Sequence, residues 1–193
     1  AIAADSPAAI TRRLDVDVLA GADGEGAWLI VPDPEGPGRA ASISRAVGAS
    51  GVVSALGPAL PAGEASRSLR WARLTLGLVQ RGALPAQAPT RCSEHLATVI
   101  VLQDRDLARA LVARRLAALN ALPEHERARL TETLEAWLAH QRRTPQIAAA
   151  LHVHPQTVRY RIRQLRELLG DALDSSEGRL ELELALRARR GLN

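Results

Sequence analysis

Two domains of different class are expected in this 193-residue chain. The first is an α+β domain, a small antiparallel sheet with helices. The second is all-α and built around a helix-turn-helix. Three observations predict this. The first part of the chain sets short apolar runs between glycine and proline breaks and holds one long amphipathic stretch. From 104 onward apolar residues recur at helical spacing. Residues 144–170 then read as two helices joined by a tight turn, the second carrying arginine on every face but one.

In order, residues 1–9 are small and read as a loose lead-in. Residues 15–20 alternate polar and apolar like a half-buried strand, residues 21–26 are turn chemistry, and residues 27–31 are a second apolar run, together a β-hairpin. Residues 39–47 have helical spacing through Ala40, Ile43 and Val47, and residues 51–56 are a third strand. The clearest helix here spans 61–81. Ala65, Leu69, Ala72, Leu76 and Val79 give it one apolar face, and Gly82 stands where a helix-ending glycine belongs.

Residues 83–90 read as a linker, and 95–102 as an apolar run of undecided type. Residues 104–119 are helical, with Leu107, Leu111 and Leu116 inward. Pro123 starts another helix, with Leu130, Leu134, Trp137 and Leu138 on one side. The expected division is 1–88 for the α+β domain, 89–122 for a connecting helical segment and 123–193 for the helix-turn-helix domain.

Within the helix pair, Thr144 fits an N-cap and Pro145 the first helical position, with Ile147, Ala148 and Leu151 inward. Residues 152–154 form the turn, with Val153 as a plug. The second helix, 155–169, opens on Pro155, buries Val158, Ile162, Leu165 and Leu169, and stops at Gly170. That stripe leaves Gln156, Tyr160 and Arg163 pointing outward. Thr157, Arg161 and Gln164 flank one side, and Arg159 and Arg166 the other.

Charge narrows the partner. All 25 basic residues are arginine and the net charge is only +4, yet residues 136–166 hold six arginines and no acid. A basic patch on a nearly balanced chain points to a polyanion, here double-stranded DNA. In a helix laid in the major groove the exposed N-terminal residues meet base edges. Pro155, Gln156, Thr157, Tyr160 and Arg163 are therefore the expected base-reading set. Arg142, Arg143, Thr144, Arg159, Arg161 and Arg166 are the expected phosphate contacts. An alternative keeps the pair as a helical protein-interaction module that does not bind DNA, its arginines meeting an acidic partner. His140, His152 and His154 lack the cysteine or carboxylate partners of a zinc set, so no metal is expected; a turn residue and an N-cap explain His152 and His154 better.

The lone Cys92 excludes an internal disulfide and points to a reducing compartment, taken as the cytoplasm. No run approaches the ~20 apolar residues of a membrane span, and no signal peptide is recognisable. The chain opens on Ala1 rather than Met, which leaves room for a sensor domain ahead of it.

The segment from about 130 to 190 resembles the C-terminal helix-turn-helix domain of the PucR/CdaR family of bacterial transcription regulators. The residues that carry the likeness are Leu134–Leu138, Ile147–His154, Thr157–Ile162, Leu165–Gly170 and Arg179–Leu186, with the block VHPQTVRYRI most specific. Pro155-Gln156 stands where many relatives have Arg-Asn, so base preference there is expected to be this protein's own. Leu180, Leu182, Leu184 and Leu186 suit a strand or a helix, and the resemblance favours a closing helix.

The family often carries a GGDEF-like domain upstream, and residues 12–82 are similar to it in order and spacing. The turn reads GADGEG where an active cyclase would carry its signature. The resemblance thus implies a degenerate GGDEF-like domain, no enzyme activity and no cofactor. It also implies a transcriptional regulator, and the usual gain in affinity from doubling a small interface makes a homodimer or higher oligomer the expected form. Any small-molecule effector is expected to act through residues outside this chain.

Overall fold

The computed structural model describes residues 1–6, 8–14, 17–140 and 143–192. They form two compact units, Ala1–Gln103 and Asp104–Leu192.

The first unit is a five-stranded sheet with helices on both faces. Its elements are β1 (Ile2–Ala4), α1 (Ala8–Thr11), β2 (Leu19–Asp23), β3 (Gly26–Ile30), α2 (Arg39–Ser50), β4 (Ser54–Leu56), α3 (Ala65–Gln80), β5 (Thr90–Arg91) and α4 (Leu96–Leu102). The strand order is β2-β3-β1-β4-β5, antiparallel except for the parallel β4–β5 edge. The lead-in reading of residues 1–9 is overturned, because β1 is the central strand and wholly buried. Its side chains divide between two layers. Ile2 and Ala4 join Ile10, Leu29, Ile43 and Val47, while Ala3 joins Ala55, Ala72 and Leu76 on the other face. A strand covered on both sides shows no polar alternation, and alanine has no strand preference to betray it.

A hairpin forms, but β2 begins at Leu19 and runs through residues 21–23, expected as turn, and residues 15–16 of the expected strand lie outside the described residues. Asp23 pairs with Gly26, leaving the two-residue turn Gly24–Glu25. Asp23 Oδ1 accepts the Glu25 N–H at 2.9 Å, an Asx turn that carries the pairing past the glycines. Arg73 on α3 grips this turn, with Nη2 2.6 and 2.7 Å from the Asp23 carboxylate and Nη1 3.0 Å from Glu25.

The Arg73 bonds, then the Glu25 N–H, hold the Asp23 carboxyl below its ordinary value. A lowered folded-state pKa contributes stability above the unfolded carboxylate value, lost as pH falls through the folded one. Arg73→Ala should therefore move the Asp23 titration upward in an NMR pH series. An unmoved midpoint would remove Arg73 as its cause.

α3 ends as expected at Gly82, φ +73°. Its N–H reaches the Val79 carbonyl and that of Ala83 reaches Leu78, both 2.9 Å, a Schellman closure. The linker stretch packs into the unit: Leu84 and Thr90 are buried, and Thr90 starts β5.

The second unit comprises α5 (Arg105–Asn120), α6 (Glu124–Ala139), α7 (Thr144–Ala150), α8 (Pro155–Leu169) and α9 (Ser176–Leu192). Asp104 caps α5 through the Asp106 and Leu107 N–H groups. Leu107, expected inward, is 69% exposed. Leu111 and Leu116 face the core as expected, and Ala108, Val112 and Leu119 complete the inward face. The leucine-rich tail is a helix with Leu182 and Leu186 buried and Leu180 exposed. Gly178 sets its approach, since a Cβ there would lie 2.4 Å from the Ala172 carbonyl oxygen. One core joins all five helices, including Leu116, Leu119, Leu130, Leu134, Trp137, Ile147, Val158, Leu165 and Leu182.

Candidate nucleic-acid interface

α7 is short and buries only Ile147 and Ala148. Thr144, expected as N-cap, is instead its first residue. The Arg143 carbonyl accepts the Gln146 and Ile147 N–H groups at 3.0 and 3.1 Å, which makes Arg143 the cap residue, with no side-chain bond. Pro145 therefore stands second, where its missing N–H still costs nothing.

The turn uses both histidines. His152 adopts a left-handed φ of +53° that reverses the chain after α7. His154 is the N-cap of α8, its Nδ1 accepting the Gln156 N–H at 3.2 Å. Half-buried Val153 packs on the core between them. This ties the entry of α8 to the exit of α7. Among the described residues no group of three metal-ligating side chains is found, and no helix is long and apolar enough to cross a membrane.

α8 buries Val158, Ile162 and Leu165, with Leu169 partly covered. Gln156, Arg159, Tyr160, Arg163 and Arg166 are exposed on the far side, Tyr160 by 56%. Gln156, Tyr160 and Arg163 lie at i, i+4 and i+7, one straight row. Arg159 and Arg166 run beside it, and Arg166 stands 3.9 Å from Asp174 at the C-terminal end. Pro155 and Thr157 are half-buried at the N-terminal turn. Arg143 is exposed and Thr144 half-buried at the head of α7. Arg142 lies outside the described residues.

Arg161 departs from the expected arrangement. It is half-buried against α6, its Nη1 donating to Thr133 Oγ1 at 3.3 Å. Sequence reasoning placed it on a flank but could not see the seam with α6 beside it.

Residues 130–188 match the model of the PucR C-terminal helix-turn-helix domain. This stretch is a PucR-type helix-turn-helix. The match runs from the middle of α6 through most of α9, so it takes in α7 and α8 whole and leaves out α5 and the first unit. Such a domain supports a DNA-binding transcriptional regulator. A solved structure titled as a regulator of polyketide synthase expression from Bifidobacterium adolescentis is 22% identical. It aligns over 95% of this chain and 77% of that one, with a TM-score of 0.36, too low to carry an argument. No curated protein matches the chain.

Proposed function

We propose that this chain is a sequence-specific DNA-binding transcriptional regulator whose α8 enters the major groove. The observation that carries the reading is the exposed row Gln156–Tyr160–Arg163 on an acid-free stretch of the PucR-type helix-turn-helix. In this reading Gln156, Thr157, Tyr160 and Arg163 meet base edges, with Pro155 shaping the helix entry. Arg143, Thr144, Arg159 and Arg166 meet phosphates, as does Arg142 by its place in the sequence. A single helix contributes a small interface, so the chain acts as a homodimer or higher oligomer with two α8 helices in successive grooves, about 34 Å apart.

The first unit acts in dimer contact or signal transmission, as a GGDEF-like domain that has lost catalysis. Its turn carboxylates, Asp23 and Glu25, are engaged by Arg73 rather than turned to a substrate.

Selection from random-sequence duplex DNA with the intact chain tests the proposal. The expected result is a motif with two half-sites about one helical turn apart. Recovery of DNA without any enriched motif would sink it and turn attention to an acidic protein partner.

A further inference from the structure

Arg161 differs from the other arginines of α8. Arg159, Arg163 and Arg166 are exposed, whereas Arg161 reaches across the seam to α6. The hydroxyl it meets is held in one orientation. Thr133 is fully buried and donates to the Arg129 carbonyl at 2.9 Å, which leaves a lone pair for Arg161. Position explains the direction. Arg161 stands one residue before buried Ile162 and three after buried Val158, so its stem runs sideways over the core rather than outward. Thr157, Gln164 and Leu168, on the same flank, are also half-buried.

Charge does not account for this placement. Burial first, and then the nearby Arg129 guanidinium, lowers the proton affinity of Arg161, while Glu132 opposes them. A cation kept beside another cation is held by shape and hydrogen bonding. The planar guanidinium suits that role, since it packs along its faces while donating at its edge.

We infer that Arg161 is a positioning residue: through Thr133 it fixes the rotation of α8 about its own axis, and it makes no phosphate contact. This rests on the DNA-binding reading above. Adjacent helical residues lie about 100° apart around the axis, so Arg161 anchored on α6 sets the direction of Tyr160, and with it Gln156 and Arg163. Base recognition tolerates errors of only about 10–20° in such directions.

The test uses the intact chain, repeating the DNA selection and measuring affinity for the selected site across salt concentrations. Arg161→Gln and Thr133→Val are each expected to weaken that site about tenfold, on the scale of one lost hydrogen bond. Both should alter the selected motif in the same way. Both should also leave the slope of log affinity against log salt at its wild-type value. Thr133→Ser, which keeps the hydroxyl, should retain the wild-type motif. Arg159→Gln, placed on a phosphate, should reduce the slope by about one.

A slope reduced by about one in Arg161→Gln would overturn the inference and return Arg161 to the phosphates. So would a wild-type motif bound with wild-type affinity by Thr133→Val. Those outcomes leave the DNA-binding reading standing. A wild-type chain that enriches no motif removes both.

Discussion

A fragment of residues 123–193 is expected not to fold, and one of residues 104–193 is expected to fold on its own. The sequence placed the start of the helix-turn-helix domain at 123, and the family match begins at 130. The core extends further back. Leu116 and Leu119 on α5 are completely buried among Leu130, Leu134, Leu182 and Leu186. Arg115 forms an ion pair with Glu181 on α9. Without α5 the apolar face of α9 would meet water along much of its length. Replacing either buried leucine by alanine costs about 2–5 kcal/mol. Losing both takes away most of the about 5–15 kcal/mol that holds a domain of this size. In the intact chain, Leu119→Ala should lower the unfolding free energy of the second unit by about 2–5 kcal/mol, seen as a lower urea midpoint at unchanged slope when helical circular dichroism is followed. A 123–193 fragment that melts cooperatively at the temperature of 104–193 would overturn this account of α5.

What could be read from the sequence follows from how each element is buried. α8 was legible because one face meets the core and the other meets solvent, so Val158, Ile162 and Leu165 stand out at helical spacing between polar neighbours. Its ends were legible through Pro155 and Gly170, and that of α3 through Gly82. β1 was not legible, because an alanine-rich strand buried on both faces has no periodicity. On α5 the alanine-leucine composition supports several stripes, and packing, not pattern, chose Ala108 over Leu107. Of the expected contact residues, those opposite the apolar stripe stand exposed. Arg161 lies at the stripe's edge, where a long side chain can go either way. Its direction depended on Thr133, distant in sequence and fixed only once α6 packs beside α8.

Arg163→Ala and Gln156→Ala are each expected to cost about 1–3 kcal/mol at the selected site and to relax the preference at one base. Arginine can bridge the O6 and N7 of guanine, and glutamine the N6 and N7 of adenine. Both side chains are exposed on one row. Seven residues separate them, about 10 Å along the axis at ~1.5 Å per residue. With α8 lying along the groove, that is about three base-pair steps at ~3.4 Å each. The two relaxed positions should therefore fall about three base pairs apart in each half-site, a relation that random basic contacts would not produce. Binding to unrelated DNA should hardly change for Gln156→Ala, because no charge is lost. Parallel selections with each variant measure this directly. If both variants instead lost the same affinity on every sequence, with the motif intact, the row would be contacting backbone and α8 would not be the reading helix.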